Sequence, residues 1–461
     1  MRQLLLPLVL VALSCLSTTP KAESLYRVEG YQLENGLQVL LKAVPGTGHV
    51  AIRLVVGVGF DQYNCAEKEL PHLFEHLLFS GTDDTGEAGV EARMQALGGV
   101  WNAYTRDTDT TVTVEAPARN QRAVLDLMLA NLTQSEPDSR KLAAAKLAVE
   151  HESGVNDSPL QLVLLEHNIG REAHQQIAQE LGLACAQPAT AADLTLEQVN
   201  GLRTDWYVAN NMTLIVVGDL DSRLPAYIDR QYGSLPAAEL PAPRQQPEPN
   251  SNAQQRRQLI SRLYGEDGSI AWMFSEPWLD HHDFETWELL RDYIDWQLYQ
   301  QLRIKHSLTY APFTEREVFS SSSFFSLNAK VQSKDLPKAE KVMRELLADL
   351  RKNGVDAEVF KRLQSAAVAE QSWAVQGASD MADYYWGALA DYDGSHFADS
   401  RKSLQSVTVE DANKALAKLL DQPGYLRISK PLLNTYGVYW LSTAILLLIL
   451  ILLGLAIWRR R

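Results

Sequence analysis

Residues 71–82 read PHLFEHLLFSGT, an apolar stretch interrupted by His72, Glu75 and His76. On a helix, residues four apart share one face with Cβ atoms about 6 Å apart, so both imidazoles can bind one metal ion. Neutral imidazole suits zinc. A catalytic zinc commonly has three protein ligands and an open position for water, whose pKa it lowers. Glu75 stands beside the second histidine, near the same face, and can hold that water and take its proton as attack on a carbonyl begins. The plainer alternative is an amphipathic helix with a hydrogen-bonded histidine pair. Five residues alone leave both open.

The order His-x-x-Glu-His reverses the common zincin motif and is the inverzincin signature. With GGVWNAYT further along, PHLFEHLLFSGT resembles the pitrilysin and insulin-degrading-enzyme family of zinc metallopeptidases, above all its processing-peptidase branch. The resemblance runs from about Tyr26 to Leu432. It implies an α+β fold of two similar metallopeptidase-type domains joined by a linker. It also implies one Zn2+ per chain and hydrolysis of peptides or small unfolded proteins enclosed in a chamber.

The resemblance assigns further residues. The family's third zinc ligand is a glutamate on a downstream helix, here SRKLAAAKLAVEHESGVNDSPL. The run EHESGVND fits with the ligand at its first glutamate, Glu150, although the family gap is usually slightly longer and Glu152 remains the alternative. The two lie about 200° apart around a helix, so only one can face the metal. Many relatives carry a supporting glutamate seven residues before the ligand, where this chain has Ala143. A missing outer carboxylate can weaken metal affinity or turnover, so a weak or inactive companion or scaffold subunit is the alternative function. Asn102 and Ala103, in WNAYT, match the family's substrate-contacting strand; an exposed strand edge can bind an extended peptide through main-chain hydrogen bonds. In QLRIKHSLTYAP, Arg303 and Tyr310 resemble the pair that binds substrate and stabilises the developing oxyanion. In long family members that pair faces the zinc domain of the opposite half. Arg303 and Tyr310 are therefore expected to complete the site of a second subunit, in a homodimer or a heterodimer with a related chain.

The elements that must position these residues are legible in outline. Two strand-like runs flank Asn35-Gly36, a hairpin signal. HVAIRLVVGVGF suits a buried strand, TVTVEA alternates as a strand does, and Thr195 with Gln198 reads as a capping box opening a helix. Residues 235–257 are rich in Pro, Gln and Ala without apolar period and read as a linker. Beyond it the plan of strands and helices repeats, with identity too weak to prove duplication. The expected layout is a zinc domain over 23–234, the linker, and a second domain without the zinc motif over 258–432. His281-His282-Asp283 reads as a loop and helix cap.

Both termini point to a membrane. Residues 1–22 have the charged, apolar and small-residue regions of a secretory signal. From Gly437 to Trp458 there is no charge, and such a helix spans roughly 33 Å, enough to cross a bilayer. Tyr436, Tyr439 and Trp440 mark one interface and Trp458 the other, while Arg459, Arg460 and Arg461 form a cytoplasmic tail under the positive-inside rule. The body is thus expected outside the cytoplasm on a single-pass anchor, in the periplasm and inner membrane of a Gram-negative cell. With 461 residues there is room for two or three domains, and a net charge of −14 argues against a nucleic-acid partner. Cys65 and Cys185, which remain once the signal is removed, could pair in an oxidising compartment or stay as buried thiols, and the reading taken is unpaired.

Overall fold

The computed structural model describes residues 25–81, 86–152, 159–167, 169–185, 189–244, 253–276, 284–319, 322–371, 373–394 and 396–460. The signal reading over 1–22 and the loop reading of His281–Asp283 lie outside them. Two sheets form the body. The first contains β1 (Glu29–Gln32), β2 (Gln38–Ala43), β3 (His49–Val56), β4 (Val100–Thr105), β5 (Thr110–Pro117) and β6 (Met212–Gly218) in the order β1-β2-β6-β3-β5-β4. The second contains β7 (Arg256–Ile260), β8 (Asp267–Ser275), β9 (Phe313–Phe319), β10 (Ser322–Gln332) and β11 (Tyr425–Lys430) in the order β7-β11-β8-β10-β9.

Local sequence explains the elements. Gly36 takes φ +91° in the turn joining β1 to β2, a conformation that glycine alone adopts without strain. Asn35 Nδ2 donates to the carbonyls of Tyr232 and Leu235 and pins that turn. β3 and β6 are nearly continuous apolar runs and lie at the centre, where both faces are covered. β4 alternates exposed and half-buried positions and forms one edge, paired among the described residues only with β5.

The duplication suggested by the sequence is plain in the topology. Set β1 aside and number the strands of each half from one to five: both sheets then run 1-5-2-4-3. In each, the first and last strands pair parallel and the other pairs are antiparallel.

The halves also exchange helices. Helix Ala378–Gly387, from the second half, covers the first sheet: Ala378, Ala382, Tyr385 and Trp386 pack with Leu40, Ala51, Ile215 and Val217. Helix Ala173–Glu180, from the first half, covers the second sheet: Ile177 and the adjoining Leu181 meet Met273 and Phe324. A buried arginine marks each exchange. Arg53 on β3 donates to Asp383 at 2.7 Å and to Glu115 at 2.8 Å. Arg427 on β11, 0% exposed, pairs with Glu180 and donates from Nε to Gln176 at 2.5 Å. Burial depresses the Arg427 pKa, and the nearby Arg257 adds to that while Glu180 opposes it.

Three expectations need adjustment. β7 begins at Arg256, inside the stretch read as linker. Cys65 and Cys185 are joined in a disulfide, not unpaired. They are 120 positions apart, so nothing local in the sequence announces their contact. The bond ties the segment leading into helix Leu70–Leu78 to the segment that follows helix Ala173–Glu180. The C-terminal helix, Thr435–Arg460, is somewhat longer than the apolar run predicted.

Candidate functional site

Helix Leu70–Leu78 opens with Pro71, whose fixed φ suits a first helical turn. Leu70, Leu73, Phe74, Leu77 and Leu78 are buried. This apolar face docks the helix on the core and turns His72, Glu75 and His76 toward helix Ser139–Glu152 and β4.

The carboxylate that meets the histidines is Glu152. Its Oε2 lies 3.1 Å from His72 Nε2 and 3.5 Å from His76 Nε2. One ligand atom from each of the three residues lies within 4.8 Å of the others. Glu150, the residue expected here, is not part of this group. The reason is helical phase. Leu142, Ala145 and Val149 form the buried stripe of helix Ser139–Glu152. Glu152 continues that stripe, about 60° from Val149, whereas Glu150 is turned about 100° the other way.

The donor set fits a zinc ion. Two imidazole nitrogens and one carboxylate oxygen are the ligands of many catalytic zinc sites. His76 Nε2 is buried and makes no hydrogen bond among the described residues, as suits an atom reserved for a metal. His72 Nδ1 is 3.0 Å from Glu69 Oε2, a contact that suits a proton on Nδ1 and would leave the Nε2 lone pair for a metal shared with Glu152. Burial disfavours the His72 imidazolium, yet the bond to Glu69 and the charges of Glu75 and Glu69 outweigh it and raise the pKa. Glu152 is 58% exposed, which leaves one side of the cluster open to solvent.

Glu75 is held by Thr105 at the end of β4, whose Oγ1 donates to Glu75 Oε2 at 2.6 Å. Trp101 and Ala103 share this inward side of β4, and Trp101 meets Phe79 edge to face at 3.8 Å. Val100, Asn102 and Tyr104 point outward and are exposed. Asn102 Nδ2 donates to Tyr104 Oη at 3.0 Å, and its Oδ1 accepts from the Ala103 amide at 2.9 Å. Sequence reasoning missed Glu69 and Thr105. Glu69 was legible in principle, three residues before His72 and so on the same helical face. Thr105 was not, because only strand placement brings it to Glu75.

Arg303 and Tyr310 come together on the second half. Arg303 Nη1 donates to the Tyr310 carbonyl at 2.7 Å, and its guanidinium lies 4.1 Å from the centre of the Tyr310 ring. Tyr310 is 79% exposed. The pair follows β8 just as the metal helix follows β3, its counterpart in the repeat. Among the described residues, no hydrogen bond, ion pair or ring contact links it to His72, Glu75, His76 or Glu152.

A duplicated α+β plan with an inverted His-x-x-Glu-His helix in its first copy is the architecture of two-domain metallopeptidases. Family models agree: "Insulinase (Peptidase family M16)" matches residues 38–187, and "Peptidase M16 inactive domain" matches residues 193–367. The chain belongs to peptidase family M16. It is 24% identical over 214 residues to mitochondrial-processing peptidase subunit beta of Saccharomyces cerevisiae, and spans 46% of that relative. It is 21% identical over 338 residues to "Uncharacterized zinc protease YmxG" of Bacillus subtilis, covering 71% of this chain and 80% of that one. Among solved structures, the peptidase M16 inactive domain from Pseudomonas fluorescens superposes with TM-score 0.72 at 17% identity, over 88% of this chain and 99% of that one. The periplasmic protease PqqL from Escherichia coli superposes with TM-score 0.70 at 18% identity, over 87% of this chain and 47% of that one.

Proposed function

We propose that this chain is a membrane-anchored zinc endopeptidase that hydrolyses peptides or small unfolded proteins outside the cytoplasm. The observation that carries the reading is the convergence of His72, His76 and Glu152, with Glu75 fixed beside them by Thr105. One zinc ion per chain, held by those three residues, would polarise the scissile carbonyl and acidify water. Glu75 receives the proton of the attacking water and returns it to the leaving amine. The exposed edge of β4 at Asn102 and Ala103 aligns an extended substrate by main-chain pairing, the substrate carbonyl taking the Ala103 amide from Asn102 Oδ1. Arg303 and Tyr310 of a second copy, or of a related chain, donate to the developing oxyanion. Helix Thr435–Arg460 anchors the body in the inner membrane, with the peptidase on the periplasmic side.

The test is cleavage of an unstructured reporter peptide by the full chain loaded with zinc. Hydrolysis that stops on chelation supports the reading, and none above the chelated control refutes it. A companion-subunit reading draws on the absent carboxylate at Ala143; position 145, seven residues before Glu152, is also alanine. Against it stand a complete ligand set, a base, and Glu69 on His72.

Thr105 gives a finer prediction. A hydrogen bond to a charged group contributes about 1.5–3 kcal/mol, and about 1.4 kcal/mol is tenfold in rate. Thr105→Val is therefore expected to lower kcat roughly tenfold or more with zinc content unchanged, and Thr105→Ser to restore most of it. Steady-state kinetics on the two variants check this; wild-type kcat in Thr105→Val contradicts the assigned role.

A further inference from the structure

The join between body and anchor is stitched throughout. Only residues 431–434 separate β11 from helix Thr435–Arg460. The Leu432 and Leu433 amides donate to the carbonyls of Arg262 and Leu263, each at 2.9 Å, and the Gly265 amide returns a bond to Leu433 at 3.0 Å. Tyr264 pairs with Leu433 as an isolated parallel bridge. The Thr435 amide and hydroxyl both donate to Glu266, the amide at 2.8 Å, and Tyr264 Oη lies 3.1 Å from Thr435 Oγ1. Asn434 then caps the helix, accepting from the Gly437 amide at 2.8 Å. A tether with its backbone bonded in this way does not swivel as a flexible linker would.

This geometry fixes what lies level with the helix entrance. The segment Arg262–Tyr264 runs beside Leu432 and Leu433 and touches the helix at Thr435, one residue before Tyr436. Tyr436, Tyr439 and Trp440 are the interfacial aromatics of an anchor whose apolar length has no burial against the body. Leu263, Tyr264 and Leu432 are exposed apolar side chains at that same end, and Arg262 and Lys430 beside them are exposed cations.

Resting on the reading of helix Thr435–Arg460 as membrane-spanning, we propose that Arg262–Tyr264 and Leu432 form a second, non-spanning contact with the bilayer. Leu263 and Tyr264 enter the headgroup region, and Arg262 and Lys430 face lipid phosphates. Apolar side chains flanked by cations bind such a surface through area burial and attraction to anionic lipid. The body then stands on the membrane by its second sheet in one fixed orientation.

The experiment uses the full chain reconstituted into vesicles of phosphatidylcholine and phosphatidylglycerol. Every variant keeps the Cys65–Cys185 disulfide oxidised. A fluorescent label is placed singly at Leu263→Cys, at Leu448→Cys in the middle of the anchor, and at Leu147→Cys, an exposed position on helix Ser139–Glu152. The proposal expects shielding from aqueous iodide at 448, and at 263 a quenching constant roughly threefold or more below that at 147, with quenching by lipid spin-labelled near the headgroup. Shielding at 448 with iodide access at 263 equal to that at 147 overturns the second contact and leaves the anchor intact. Iodide access at 448 overturns the spanning reading and the contact with it.

Discussion

Replacement of Glu75 by glutamine is expected to lower kcat by about 10²–10⁴-fold, the range that a positioned general base supplies, while zinc stays bound. The side chain is absent from the ligand group, so its neutralisation leaves His72, His76 and Glu152 in place. Glutamine is close to isosteric and keeps an oxygen for the Thr105 hydroxyl, so helix Leu70–Leu78 and its packing on β4 should not shift. What is lost is the acceptor for the proton of the attacking water. Reporter-peptide turnover and zinc content measured on one preparation separate the two effects. Turnover equal to wild type would remove Glu75 from the chemistry, and loss of zinc would make it a ligand instead.

The second large effect is on stability. Glu180→Ala removes the carboxylate that faces the fully buried Arg427 and also the partner of Arg257. Leaving a buried charge uncompensated costs about 3–5 kcal/mol. Gln176 and the Gln254 carbonyl still accept from Arg427, which hold the guanidinium in place without neutralising it. The variant is expected to unfold at clearly lower denaturant, read by tryptophan fluorescence of the full chain in micelles. Helix Ala173–Glu180 covers the second sheet from the first half, so both halves should lose stability together. An unchanged midpoint would mean that the exchanged helices, and not their ion pairs, hold the halves.

What the sequence disclosed follows the range of the interaction. The Asn35-Gly36 turn and the Thr195–Gln198 capping box are local and appear as read. The histidine pair was legible because i,i+4 spacing on a helix needs no tertiary information. Glu152, the alternative to Glu150, is the carboxylate that meets the histidines. The stripe Leu142, Ala145, Val149 points to 152, and the sequence held that information. Three features were out of reach: the 1-5-2-4-3 strand order, the exchange of helices between halves, and the pairing of Cys65 with Cys185. Each is decided by contacts between residues far apart in the chain, where weakly similar repeats offer no local signal. Thr105 belongs with them, since it reaches Glu75 only once β4 takes the sheet edge beside the metal helix.

The central claim is that His72, His76 and Glu152 hold one zinc ion, and zinc per chain tests it most directly. Elemental analysis of the full chain, purified with zinc and then dialysed against a weak chelator, is compared with Glu152→Gln and Glu150→Gln treated alike. About one zinc per chain is expected in the wild type and in Glu150→Gln, with most of it lost from Glu152→Gln. Full zinc in Glu152→Gln, or its loss from Glu150→Gln, would contradict the ligand set.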